Sequence, residues 1–465
     1  MNILDYSSFY FVGVKGVAMT SLAQMLIDAG KTVIGSDVEQ AFVTEKILEK
    51  LKIKIDNFQL PLPDNIDCVV YTAAHQGIDN PQVKWALKHN LPTFSQAEAI
   101  SSLFNQKQGL AVCGVGGKST VSAMITWILS YIGQKPSFSV GVGNIPGLEK
   151  TGAWTKSKYC IAEADEYVID PHAPQKNQAI TPRFSFLKPA VTVCTNLKYD
   201  HPDVYKNFNH TKQVFKQFFS QTSNYLVVNA DDQELLNLAK ETNLKMVTFG
   251  ENPQADFCLT SYTSKEGLTQ GIFTYQNQNY QLELTIPGKF NLLNALAAIA
   301  SVTPLEPKAL NDHNLKNFKS TARRFENKGL FNGIQCFDDY AHHPNEVKAA
   351  IKAINDWYPT QRKVFAFQSH TYSRTKQLFS DFVDAFAEAK EILMIDIFSS
   401  AREQDDPTIS SDLLCKKIRE KYSEIKAENL KNINHLANFF MTELKPGDIF
   451  VTLGAGDIYE VYELL

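Results

Sequence analysis

Short apolar runs that end in glycine or polar residues alternate with segments of helical period along the whole chain. Phe9-Tyr10-Phe11-Val12 is such a run and predicts a buried strand, followed by the turn Gly13-Val14-Lys15-Gly16-Val17-Ala18. Leu22, Met25 and Leu26 then share one helical face that Gly30 ends, and Thr32-Val33-Ile34 predicts a second strand leading to Gly35-Ser36-Asp37. This is a βαβ start with an acid where a ribose hydroxyl would be met. The dinucleotide fingerprint is incomplete, because Lys15 and Ala18 stand where its second and third glycines belong. Lys15 hinders close backbone approach yet could itself meet a diphosphate, and a Rossmann-like unit without nucleotide remains open.

Further strands are predicted at Cys68-Val69-Val70-Tyr71 and near Pro92-Thr93-Phe94, and the polar stretch 105–109 reads as a linker. The apolar run Leu110-Ala111-Val112-Cys113 leads into Gly114-Val115-Gly116-Gly117-Lys118-Ser119-Thr120 and a helical segment from Val121 to Tyr131. A strand at 159–162 delivers Glu163, Asp165 and Glu166 to its end, and another at 190–194 runs out through Thr195-Asn196 to Asp200-His201. Tyr225 to Asp232 reads as a strand and turn of the same sheet, and 256–287 alternates as antiparallel strands do. Gly288-Lys289-Phe290-Asn291 opens an alanine-rich helix with Asn291 and Asn294 one turn apart. Beyond Arg323-Arg324-Phe325-Glu326 a last α/β segment has strands at 334–337, 364–368 and 449–453. They end in Asp338 to Pro344, Ser369 to Thr375 and Gly454 to Asp457.

Strand, glycine turn, lysine, hydroxyl and helix in that order place backbone N–H groups and a positive helix end around an anion. A lysine and a hydroxyl directly after the last glycine suit the terminal phosphates and Mg²⁺ of a nucleoside triphosphate. The strict eight-residue phosphate-loop pattern fails, since its first glycine would fall on Val112. Carboxylates and a histidine at successive strand ends extend the same chemistry, because ligands of open α/β sheets bind at that edge. His342 and His343 lack a third and fourth ligand nearby, which argues against zinc.

At 465 residues the chain is long for one core and implies about three domains. A net charge of −4 argues against a general nucleic-acid or anionic-membrane binder. No apolar run is long enough to span a bilayer, and Met1-Asn2-Ile3-Leu4-Asp5 is unlike a signal peptide. Seven dispersed cysteines without Cys-x-x-Cys spacing read as reduced thiols in the cytoplasm.

Together these motifs resemble the Mur ligases over nearly the whole chain. The resemblance is carried by Gly35-Ser36-Asp37, Lys118-Ser119-Thr120, Glu163-Ala164-Asp165-Glu166, Thr195-Asn196, Asp200-His201 and Asn291-Leu292-Leu293-Asn294-Ala295. Arg323-Arg324-Phe325-Glu326, the runs Asp338 to Pro344 and Gln368 to Thr375, and Gly454-Ala455-Gly456-Asp457 complete it. It implies an α/β fold in three domains. These are a Rossmann-like UDP-binding domain (1–107), a central P-loop ATPase-type α/β domain (108–320) and a C-terminal Rossmann-like domain (321–465). It implies ATP and Mg²⁺, with UDP-N-acetylmuramate and L-alanine as substrates of a carbon–nitrogen ligase of peptidoglycan synthesis, acting as monomer or homodimer.

By matched position, Gly13, Val14, Lys15, Gly16 and Asp37 would meet the UDP-sugar. Gly114 to Thr120 with Asn291, Asn294, Arg324 and Asp339 would serve ATP, Ser119 and Glu163 would ligate one Mg²⁺, and His201 a second. Lys118, His201, His342 and His343 would act in catalysis, and His370 and Arg374 would face the amino acid. The family usually has Thr-His where this chain has Val115-Gly116, and glycine in place of Lys15. Three other readings stand beside this one: a tripeptide-adding ligase of cell-wall recycling, a nucleotide-binding homologue with little turnover, and an NAD(P) dehydrogenase, which the phosphate loop disfavours.

Overall fold

A computed structural model describes residues 2–40, 42–173, 176, 178–201, 204–265, 267–311, 313–399 and 405–465. They form three sheets and two compact units. The first unit is 1–261 with 271–282 and 293–318, and the second is 262–270, 283–292 and 319–465. No helix among the described residues is long and apolar enough to cross a membrane.

The first sheet contains β1 (Ser8–Val12), β2 (Thr32–Ser36), β3 (Ile55–Asp56), β4 (Cys68–Tyr71) and β5 (Thr93–Ser95). All are parallel in the order β3-β2-β1-β4-β5. The helices are α1 (Val17–Asp28), α2 (Glu45–Lys50), α3 (Pro81–Lys88) and α4 (Gln96–Phe104). Strands covered on both faces read as continuous apolar runs, and Phe9 and Phe11 are fully buried on one face while Tyr10 and Val12 fill the other.

The second sheet begins with β6 (Gln108–Cys113), which leads through the glycine loop into α5 (Lys118–Tyr131). The helix starts at Lys118, three residues before the predicted start, because Gly117 adopts the left-handed conformation and caps it. Then come β7 (Ser137–Ser139), β8 (Gly152–Ala153), β9 (Tyr159–Glu163), β10 (Val191–Cys194), α6 (Phe208–Phe219), β11 (Tyr225–Asn229), α7 (Gln233–Lys240) and β12 (Lys245–Gly250). The run β13 (Phe257–Lys265), β14 (Leu268–Tyr275) and β15 (Gln278–Leu284) extends this sheet, before α8 (Lys289–Val302). The order is β15-β14-β13-β12-β11-β10-β6-β9-β7-β8. The central strand β6 lies between β9 and β10 in parallel register, so their C-terminal ends open on one edge.

Within the first unit, α1 is joined to β7 and β8 through buried polar groups. Ser21 Oγ lies 2.6 Å from Ser139 Oγ, Gln24 Nε2 donates to Thr151 Oγ1 at 3.1 Å, and the Thr151 and Gly152 amides donate to Gln24 Oε1. A Cβ on Gly152 would lie 2.0 Å from the Ser21 carbonyl oxygen, so only glycine admits this approach. Buried polar groups that satisfy one another fix a unique docking, whereas separating them would leave each unpaired.

The third sheet, in the second unit, has β16 (Glu326–Phe331), β17 (Ile334–Asp339), β18 (Lys363–Phe367), β19 (Glu391–Met394), β20 (Lys426–Asn429) and β21 (Ile449–Leu453). Its order is β16-β17-β21-β18-β19-β20. Only β16 runs antiparallel to its neighbour. Helices α9 (Pro344–Trp357), α10 (Tyr372–Gln377), α11 (Phe379–Ala385), α12 (Ser411–Lys421) and α13 (Ile433–Glu443) accompany it. One apolar core joins α9, α11 and α12 to the sheet, and a second joins α13 to its other face.

Candidate active site

The glycine loop sits at the C-terminal end of β6. Gly114 has φ +118° and Gly117 φ +87°, conformations that L side chains avoid. A Cβ on Gly114 would lie 2.3 Å from Thr195 Oγ1, and one on Gly117 2.7 Å from Asn294 Oδ1. The loop therefore nests against the end of β10 and against α8. The Val115 and Gly116 amides donate to Asn196 Oδ1 at 2.9 and 3.2 Å, and Asn196 Nδ2 returns a bond to the Gly116 carbonyl at 3.1 Å. This brace needs no side chain at position 116.

Lys118 turns its ammonium back over the loop, 2.7 Å from the Gly114 carbonyl and 3.1 and 3.0 Å from the two carboxylate oxygens of Glu166. Burial works against its charge, but Glu166, Asp165 and Glu163 outweigh burial and raise its pKa above the ordinary lysine range. It is thus a fixed cation at the positive end of α5. Thr120, in the first turn of α5, is buried. Ser119 Oγ donates to Glu163 Oε2 at 3.0 Å, and the other Glu163 oxygen accepts from the Gly141 amide at 2.6 Å.

His201 adopts φ +58° and packs its ring on Tyr167 at 4.7 Å. Its Nε2 lies 3.7 Å from both Glu166 and Asp200. Burial is outweighed by these carboxylates, and its pKa is raised. One ligand atom from each of Glu166, Asp200 and His201 falls within 4.8 Å of the others. The hydroxyl and carboxylate oxygens of Ser119 and Glu163 suit the hard, oxygen-seeking Mg²⁺, so the side chains at this edge fit that ion.

The turn after β1 holds Gly13, whose φ is +85°. The Gly13 and Val14 amides donate to the Ser36 carbonyl at 2.8 and 3.2 Å. Asp37, almost fully buried, accepts from the Lys15 amide at 2.7 Å and the Val38 amide at 2.8 Å, and lies 3.3 Å from His75 Nε2. Burial is outweighed by the bonds from His75, Lys15 and Val38, which hold its carboxyl below the usual range. The Lys15 ammonium is directed away from the turn, to the Gln40 carbonyl at 2.9 Å and Glu45 at 3.3 Å. Gly16 caps α1 without any side-chain hydrogen bond, leaving the first turn of α1 open to a cleft of about 190 Å³. The first turn of α4 borders the same cleft, as does Arg183, a residue that sequence reasoning did not single out.

In the second unit, Asp339 ends β17 and accepts from the Phe325 amide at 2.8 Å and the Ala341 amide at 2.7 Å. Burial raises its pKa to about 7 despite Arg324. Arg324 lies over the Tyr340 ring at 5.0 Å. Arg323, quoted in the sequence but given no role there, donates to the Gly454 carbonyl at 2.6 Å and to Asp338 at 3.2 Å, tying the glycine loop after β21. His342 Nδ1 lies 3.0 Å from the Tyr340 carbonyl and 3.4 Å from Glu346. Its pKa is lowered by burial, which prevails over Glu346 and is reinforced by Arg374 and Arg324. His343 caps α9 and, with His342, donates its amide to Glu346 at 3.2 Å. His370 stacks on Phe398 at 5.6 Å, and the next residue, Thr371, holds φ +68° at the start of the helix that carries Arg374. Asn291 Nδ2 donates to the Pro287 carbonyl at 2.7 Å.

Residues 8–108 match "Mur ligase family, catalytic domain", residues 112–302 "Mur ligase middle domain" and residues 323–456 "Mur ligase, glutamate ligase domain". The UDP-N-acetylmuramate–L-alanine ligase of Clostridium acetobutylicum is 36% identical, over 98% of this chain and 96% of that protein. The enzyme of the same name from Acetivibrio thermocellus is 34% identical, over 100% and 97%. Among solved structures, a UDP-N-acetylmuramate–alanine ligase from Thermotoga maritima shares the fold with TM-score 0.81 at 22% identity, over 98% and 97% of the two chains. A murein peptide ligase from Psychrobacter arcticus follows at TM-score 0.69 and 20% identity, over 99% and 98%. Matched from the first sheet to the last, the chain belongs to the Mur ligase family.

Proposed function

We propose that this chain joins L-alanine to the lactyl carboxylate of UDP-N-acetylmuramate, converting ATP to ADP and phosphate, in the synthesis of peptidoglycan precursors. The observation that carries the reading is the full-length match, at 36% identity, to a ligase of that name. The buried Lys118 among Glu163, Asp165 and Glu166 supports it.

The lactyl carboxylate attacks the γ-phosphate of ATP, giving an acyl phosphate and ADP; the amine of L-alanine then attacks the acyl carbon and phosphate leaves. Lys118 neutralises charge on the transferring phosphoryl group, and the amides in the first turn of α5, directly after the glycine loop, meet the phosphates. Ser119 and Glu163 would hold one Mg²⁺ and His201 a second, and bound Mg²⁺ would supply screening of the phosphate charge. Asn291, Asn294, Arg324 and Asp339 serve ATP in this reading. Arg374 and His370 take the amino acid, whose carboxylate a guanidinium can grip in two places. His342, kept neutral at pH 7, and His343 suit the removal of a proton from the attacking amine.

Residues 1–107 hold the UDP-sugar, 108–320 ATP and 321–465 the amino acid, and the enzyme works in the cytoplasm, where nucleotide-linked precursors and ATP are at hand. Phosphate release with UDP-N-acetylmuramate, ATP and Mg²⁺ tests the reading, with L-alanine, glycine, L-serine and a tripeptide as acceptors. Release that depends on L-alanine is expected. Efficient use of the tripeptide with poor use of L-alanine would overturn it.

A further inference from the structure

Between Glu166 and β10 the chain makes an excursion whose two legs are zipped together. Val168 bridges Pro182 in antiparallel fashion, the Ile169 amide donates to the Thr181 carbonyl at 3.0 Å, and the Arg183 amide donates to the Tyr167 carbonyl at 2.9 Å. This pairing returns Arg183, sixteen residues later in sequence, to the side of Tyr167 and Asp165. One guanidinium nitrogen lies 2.6 Å from Asp165 Oδ2, and the group sits 5.4 Å from the Tyr167 ring centroid. Its other N–H groups make no hydrogen bond to the described residues, and the side chain lines the cleft bordered by the first turns of α1 and α4.

The two sides of that cleft differ in chemistry. The helix ends present backbone N–H groups and partial positive charge, which suit a diphosphate. Arg183 presents a full, planar cation that can hold a carboxylate in a fork while keeping Asp165 on its far nitrogen. Asp165, the partner of Arg183, is within electrostatic reach of Lys118 of the phosphate loop. The first step brings a carboxylate against a polyanionic triphosphate, and a cation beside the carboxylate offsets that repulsion.

Resting on the functional reading above, we propose that Arg183 is a specificity-determining residue that binds the lactyl carboxylate of the sugar nucleotide. UDP-N-acetylglucosamine, which shares the uridine, diphosphate and amino sugar but has no lactyl group, is the discriminating probe.

Calorimetry on the full chain compares wild type, Arg183→Met and Arg183→Lys with both compounds. Losing a charge-assisted hydrogen bond, Arg183→Met should bind UDP-N-acetylmuramate about tenfold or more weakly. Its affinity for UDP-N-acetylglucosamine should stay within about twofold, since that compound lacks the carboxylate. Arg183→Lys keeps the charge without the fork and should fall between the two; it also carries the comparison should the methionine variant misfold. Equal weakening toward both sugar nucleotides, or no weakening toward either, overturns the assignment. If the wild-type chain fails to bind UDP-N-acetylmuramate at all, the functional reading falls with it. That failure is distinct, because the inference alone fails only where wild type binds.

Discussion

Lys118 and Glu166 form a buried ion pair in which both carboxylate oxygens lie about 3 Å from the ammonium. A phosphate entering the loop competes with Glu166 for that cation. Lys118→Ala should lower alanine-dependent phosphate release by about 10²–10³, the usual effect of losing one donor aimed at developing charge. Steady-state kinetics beside a thermal melt checks it, and unchanged turnover would remove Lys118 from the reaction.

Two glycines with the wrong φ for other residues make opposite predictions. Gly133 has φ +88°, and a methyl group there would have no neighbouring atom within 4 Å, so Gly133→Ala should cost only the backbone strain, about 1–2 kcal/mol. Gly114→Ala would press its Cβ to 2.3 Å from Thr195 Oγ1 and 2.9 Å from the Asn196 carbonyl oxygen. It should abolish binding of a fluorescent ATP analogue, whereas Gly133→Ala should bind it normally.

Asp339 sets a pH dependence with a definite sign. Its carboxyl, near 4 in the unfolded chain, is raised to about 7 in the fold, chiefly by burial. The folded state therefore binds the extra proton between these values, and the contribution to stability falls as pH rises from about 4 to 7. Asp339→Asn, which mimics the protonated form, should flatten that slope. Calorimetric melting temperatures from pH 5 to 7.5 would show it, and parallel curves for wild type and variant would refute it.

Arg374 tests the acceptor side. Arg374→Ala should raise the KM for L-alanine about tenfold or more while the KM values for ATP and the sugar nucleotide move little. Equal rises for all three substrates would make it a residue that shapes the fold.

Much of this was legible in the chain because strand ends and glycine turns are local. The apolar run before Gly114 fixes a central strand, and the lysine and hydroxyl after Gly117 open the next helix at the same edge. Side-chain direction was not local. Lys15 looks in sequence as though it faces a ligand, but Glu45, thirty residues on, draws its ammonium into the 39–45 segment. Arg183 reads as one basic residue in a polar stretch, and only the pairing of Val168 with Pro182 carries it to Asp165. Arg323 and Arg324 are neighbours in sequence and both lie against the Tyr340 ring, yet Arg323 also ties the Gly454 loop while Arg324 is the cation that acts on Asp339.

The seam of Ser21, Gln24, Ser139 and Thr151 has a consequence for heredity and engineering alike. A chimera that takes its first sheet from one relative and its second from another would set foreign partners against Gln24, and any residue larger than glycine at 152 would strike the backbone of α1. The two stretches can drift only in step. A recombination point in the connection 105–107 between α4 and β6 cuts between halves that must be inherited together, so viable crossovers belong after β8.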